Sequence, residues 1–102
     1  MKNYDVIYIN CTNKTANPAF TPDIANMIKF IKNGTIVKLN NEISLVVNGK
    51  IEKEIETFYL LNFSDFKFID DAFLFKRNEN GNIDSFNETQ MKVYRSLVRF
   101  EN

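Results

Sequence analysis

The sequence predicts an α+β fold: an antiparallel sheet of about five to six strands, one helix after the first strand and a second helix at the C-terminus. Three observations predict it. Ile24, Met27, Ile28 and Ile31 recur at helical spacing. From Thr35 the apolar period changes to two. Finally, Phe58–Phe75 holds six of the ten phenylalanines, punctuated by Asn, Ser and Asp, as consecutive strands at the centre of a sheet would. At 102 residues one domain with one core is expected, spanning 1–102.

Taken in order, Tyr4–Cys11 reads as a strand apolar on both faces, and residues 13–18 (Asn-Lys-Thr-Ala-Asn-Pro) read as a loop by composition. Thr21 is a candidate N-cap with Pro22 at the first helical position and Asp23 complementing the dipole, which predicts a helix over about 22–32. Asn33-Gly34 supplies its left-handed stop. Thr35–Leu39 and Ile43–Val47 read as strands joined near Asn40-Asn41, a pair that tolerates a type I′ turn. Asn48-Gly49 signals a further hairpin. An odd-length connection there aligns Ile43, Leu45, Ile51 and Ile55 on one face and turns Glu52, Glu54 and Glu56 to the other.

Ser64-Asp65 and Asp70-Asp71 break the phenylalanine run, leaving Phe66–Ile69 and Ala72–Arg77 as strands, followed by a surface loop over 78–82. Ser85 to Glu88 fits a capping box, and Phe86, Gln90, Val93, Leu97 and Phe100 keep helical spacing, against a poorer alternation through Met91–Val98. The first helix is expected to pack on Leu45, Ile55 and some of the phenylalanines. The second sheet face must be covered by the C-terminal helix, a partner or a second copy.

Composition excludes more than it assigns. There is no histidine, which removes the commonest general base and any Ser–His or Cys–His nucleophile. One cysteine forms no intrachain disulfide and no cysteine–histidine zinc set. No cofactor or metal motif is present. Thirteen basic and thirteen acidic residues give zero formal charge, whereas nucleic-acid binding through the phosphate backbone calls for a basic excess. The apolar stretch near the N-terminus is too short for a signal segment or membrane span, so a cytosolic protein is expected, with no membrane partner. The Asn-x-Ser/Thr triplets at Asn10, Asn13, Asn33, Asn62 and Asn87 then read as by-products of abundant asparagine. The wealth of Asn, Lys, Ile and Phe, all with AT-rich codons, suggests a low-GC bacterium or one of its phages.

Candidate chemistry is sparse. Asp65, Asp70 and Asp71 have the donors for a hard cation, although adjacent aspartates also close turns. The loop Asn78-x-Asn80-Gly81-Asn82-x-Asp84 echoes a calcium loop, but Lys76 stands where its first acidic ligand belongs, so it reads as a turn. Phe66, Phe68, Phe73 and Phe75 on paired strands have the spacing of a base-stacking platform, without the glycine and basic surround of such platforms. On a C-terminal helix Lys92, Arg95 and Arg99 form a basic stripe, with Lys76 and Arg77 nearby. A solvated helix face is the more usual origin of such a stripe, yet this one is the best local candidate for an anion or acidic partner. Acidic residues concentrate between Glu42 and Asp71 and basic ones between Lys76 and Arg99, a separation that favours docking by complementarity or self-association as a homodimer.

The helix ending in Lys32-Asn33-Gly34, the short strands after it and the segment Asp65 to Asp70 (Asp-Phe-Lys-Phe-Ile-Asp) are similar to small phage-borne domains that inhibit bacterial defence by sequestering a ligand or protein. The similarity covers about residues 22 to 71, with Phe66 where such domains often carry tryptophan. It implies a stoichiometric inhibitor. The expectation is therefore a small non-enzymatic cytosolic binding protein of phage or mobile-element type, acting on a host protein through Lys76, Arg77, Lys92, Arg95 and Arg99. The alternatives are a nucleic-acid or nucleotide-binding module using the same basic face, and a carboxylate-based metal binder or enzyme.

Overall fold

The computed structural model describes residues 2–50 and 57–101. Its principal sheet has the order β2-β1-β7-β4-β3, all neighbours antiparallel. The strands are β1 (Tyr4–Asn10), β2 (Thr15–Thr21), β3 (Gly34–Lys38), β4 (Ile43–Asn48) and β7 (Ala72–Arg77), and β8 (Ile83–Asp84) pairs with the end of β7. A second sheet has the order β6-β5-β9, from β5 (Thr57–Leu60), β6 (Phe68–Ile69) and β9 (Val98–Glu101). Helix α1 (Ile24–Phe30) follows β2, and α2 (Glu88–Leu97) precedes β9. The expected α+β architecture is thus present.

Both faces of the principal sheet are covered, as the unbroken apolar run of β1 demands. Val6, Val46, Phe73 and Phe75 lie on one face beneath Met27 and Ile31 of α1. Ile7, Ile9, Leu45, Leu74 and Ala72 lie on the other, against Phe58, Leu60 and Val98 of the second sheet and Met91, Tyr94 and Leu97 of α2. The helix stripe read from the sequence is the stripe that packs, but its partner on β4 is Val46. Leu45 alternates to the opposite face, where Ile43 joins it. Ile51, Ile55 and the glutamate row at 52, 54 and 56 lie outside the described residues.

Three local expectations change. Residues 15–21, read in part as a loop, form edge strand β2, registered along the whole of β1 from Asn10↔Thr15 to Tyr4↔Thr21. Pairing overrides weak propensity here, and Pro18 is tolerated because β2 is an edge. Helix α1 starts later than expected: Asp23 is its N-cap, its carboxylate accepting from Asn26 N at 2.8 Å, while the Thr21 hydroxyl is spent on Asp23 O. Asn33 itself adopts the left-handed conformation (φ 55°). Gly34 is required for a different reason, since a Cβ there would stand 2.7 Å from Ile28 O. The turn at 39–42 has no residue of positive φ. Instead, Asn40 Oδ1 accepts from Glu42 N and Ile43 N, an Asx turn.

At the C-terminus the helix is present, with its capping box at Asn87 and Gln90, two residues beyond the expected one. It ends at Leu97, where the chain turns into β9 and pairs with β5. Its core-facing stripe is Met91, Tyr94 and Leu97, all partly buried, leaving Val93 exposed. The phenylalanine run is likewise divided. Phe58 and Phe68 belong to the second sheet, Phe73 and Phe75 to the principal one, and Phe66 is 56 % exposed outside any strand.

Candidate functional site

The five basic residues singled out in the sequence fall into three settings. Arg77, at the end of β7, is only 8 % exposed. Its Nε donates to Ser44 Oγ, and its Nη2 donates to the carbonyls of Asn40 and Ile43, so the guanidinium fastens the β3–β4 turn to the sheet. Its neighbour Lys76 points to the other face, 4.0 Å from Asp84 Oδ2 and within hydrogen-bond reach of Gln90 Oε1 at 3.4 Å. Gln90 in turn donates to Glu42 Oε1 at 2.9 Å, which ties α2 to the same turn. Burial, and then the Glu42 carboxylate, pushes the Tyr94 phenol above its usual pKa. Lys76, Arg77, Glu42 and Asp84 border a cleft of about 790 Å³ whose lining holds three cations, Lys38, Lys76 and Arg77, and three carboxylates, Glu42, Glu79 and Asp84.

Lys92 and Arg95 lie elsewhere. Helix α2 reaches edge strand β2, and Arg95 Nε donates to Ala16 O at 2.7 Å while Nη2 reaches Asn17 Oδ1 at 3.3 Å. With Lys14 from the β1–β2 turn they border a second cleft of about 420 Å³, floored by Ala16, Val98 and Phe100. Lys14 is delivered by its own left-handed backbone (φ 54°), which closes the turn that Asn10 Oδ1 braces on Asn13 N. Among the described residues no carboxylate borders this cleft, and none of its three cations pairs with a described acid. Arg99 does not join them. The helix has ended before it, and Nη1 turns back to Ser96 O at 2.5 Å and Val98 O at 2.9 Å. The helical stripe of three therefore becomes a cluster of Lys14, Lys92 and Arg95.

Sequence reasoning missed Lys14 together with β2, because nothing in residues 13–18 signals a strand. The pairing to β1 creates the site, and that pairing is visible only in three dimensions.

The acidic and aromatic candidates are largely engaged by the fold. Asp71 accepts from Tyr8 OH at 2.6 Å and Cys11 N at 2.9 Å. Asp70 takes the left-handed conformation (φ 60°), its carboxylate accepts from Asn48 Nδ2 at 2.8 Å, and its carbonyl accepts from the Cys11 thiol. Burial, then the Asp71 carboxylate, raises the Tyr8 pKa far above its ordinary value. Asp65 does not join this pair: among the described residues no three of His, Cys, Asp and Glu come together as a metal site would need. Phe66, Phe68, Phe73 and Phe75 do not share a face. Phe73 and Phe75 are buried under α1, and β6 does not pair with β7. The base-stacking platform is thereby removed. No buried, described side-chain polar atom lacks a partner, so none is held in reserve for a ligand.

No described helix is long and apolar enough to cross a membrane. No protein-family model, curated protein or solved structure matches the chain. The functional reading rests on the geometry of the two clefts.

Proposed function

We propose that this is a small non-enzymatic binding protein of the cytosol, and that it engages the acidic surface of a protein partner stoichiometrically through the cleft of Lys14, Lys92 and Arg95. The observation that carries this reading is the uncompensated charge: three cations from three chain positions border one concavity with no carboxylate among its described lining residues. Helix-dipole complementarity alone would account for Arg95 in the last turn of α2. It does not account for Lys14, which comes from another element. Arg95 is also held by neutral acceptors on β2, so its position is fixed while its charge stays available.

An acidic protein is favoured over a nucleic acid because the chain as a whole is neutral and the basic surface is one short cleft. In its finer form the protein is a phage- or mobile-element-type inhibitor of a host protein. That form is supported by the similarity of residues 22–71 to such domains and by the abundance of Asn, Lys, Ile and Phe, residue types with AT-rich codons.

The test is affinity capture from lysate of a low-GC bacterium, with and without nuclease treatment, using the wild-type chain and Lys92→Glu/Arg95→Glu as baits. One protein recovered at near-equal stoichiometry by the wild type and lost with the double variant is the expected result. Recovery that both baits share, or that nuclease abolishes, contradicts the reading.

A further inference from the structure

We infer that the partner element entering this cleft is an acidic peptide segment with one apolar anchor: a short extended stretch whose carboxylates meet Lys14, Lys92 and Arg95 while a single aliphatic or aromatic side chain sits on the floor of Ala16, Val98 and Phe100. The inference rests on the reading of the cleft as an anion-binding surface and adds what lies between the charges. A cleft that served only to attract anions would gain from a polar floor. This floor is apolar, and of its three residues Val98 is buried while Ala16 and Phe100 are partly buried against the core. Ser96 also borders the cleft, but its hydroxyl already donates to Val93 O at 2.6 Å, so it does not make the site polar.

The dimensions agree. About 420 Å³ lies toward the lower end of ligand cavities, which run roughly from 300 to 1,000 Å³, room for a few residues and no folded domain. The charges are placed to flank an anchor: Lys14 rises from the β1–β2 turn, and Lys92 and Arg95 stand one helical turn apart on α2. Arg95 uses Nε and Nη2 on β2, which leaves Nη1 for a carboxylate.

Two features argue that the segment docks into the cleft without adding to β2 as a further strand. Pro18 in the middle of β2 has no N–H to donate, and Arg95 occupies the carbonyl of Ala16. Recognition then depends on the side chains: charge for steering and one apolar contact for selectivity.

The probe is a fluorescein-labelled, end-blocked pentapeptide of glutamates around a central leucine, compared with its serine-centred counterpart by fluorescence anisotropy on the full chain. The leucine peptide is expected to bind about tenfold more tightly, the effect of burying one aliphatic side chain. It is also expected to shift the methyl resonances of Ala16 and Val98, which the serine peptide leaves in place. Lys92→Glu/Arg95→Glu, both exposed positions, should lose both peptides while keeping the wild-type circular dichroism spectrum. Equal affinity for the two peptides overturns the inference and leaves the anion reading standing. Failure of both to bind overturns the two together. A concentration-dependent dimer that the double variant abolishes assigns the floor to a second copy of the chain and likewise overturns the inference.

Discussion

The cleft beside Arg77 and the cleft beside Arg95 each hold three basic side chains on the same small scaffold, yet they differ in where the charge goes. Beside Arg77 three carboxylates line the cleft with the three cations, Lys76 lies 4.0 Å from Asp84, and the guanidinium itself is buried on Ser44 and two backbone carbonyls. Beside Arg95 the guanidinium is held just as definitely, but by neutral acceptors at the surface, with two lysines and no acid among the described residues lining the cleft. The comparison teaches that a pinned arginine is not by itself a functional one. The deciding quantity is the charge left over after the fold has used its partners.

The sharpest way to break this contrast is Arg77→Ala. Losing a buried guanidinium that satisfies a hydroxyl and two carbonyls should cost about 2–4 kcal/mol. On a domain this size that lowers the melting temperature by roughly 10–20 °C. Affinity for an acidic peptide measured below the transition should stay at the wild-type value. A stable variant that had lost peptide binding would invert the roles assigned to the two clefts.

Next in size is Asn87→Ala, which removes the side-chain half of the capping box that starts α2, Asn87 Oδ1 accepting from Gln90 N, and keeps the backbone half. Urea denaturation should show a loss of about 1 kcal/mol, with peptide affinity little changed because Lys92 and Arg95 lie in later turns. An affinity that fell in step with the stability would mean that the cleft depends on the whole helix.

Tyr8 extends the contrast to acidic groups that the fold consumes. Its pKa in the folded protein is raised above the ordinary value of 10, by burial first and by its hydrogen bond to Asp71 second. The folded state therefore retains a proton that the unfolded state releases. The contribution is complete below pH 10 and is lost as pH climbs beyond it. Tyr8→Phe should lower the stability at neutral pH by about 1 kcal/mol, and the gap between the two urea midpoints should narrow above pH 10. A gap that widened there would contradict the sign.

The smallest effect on stability belongs to Lys92→Glu/Arg95→Glu. The melting temperature should move by no more than about 4 °C, as for other surface changes. The same variant should give the largest loss of anion affinity and of its salt dependence, read by anisotropy at low and moderate ionic strength.

What the sequence made legible is what short-range chemistry encodes. The stripe Ile24, Met27, Ile28 and Ile31 and the helix at the C-terminus follow from spacing alone. Edge strand β2 does not, because Thr-Ala-Asn-Pro has weak strand preference and becomes a strand only by pairing with β1. Strand β9 was hidden for the opposite reason: helical spacing persists from Phe86 to Phe100, although the helix stops at Leu97 and the remainder pairs with β5 some forty residues earlier. Two of the three cations of the candidate cleft, Lys92 and Arg95, were visible. Lys14 and the floor of Ala16, Val98 and Phe100 depend on those two unpredicted strands, and Arg99 was included by a periodicity that had already ended.

The most direct test of the account is a titration of the isotope-labelled protein with an acidic peptide, followed in amide and arginine Nε–H resonances. The account predicts shifts at residues 14–17 and 92–100 and at the Arg95 Nε–H, with residues 76–84 and the Arg77 Nε–H unmoved. Shifts centred on 76–84, or spread evenly over all surface cations, would contradict it.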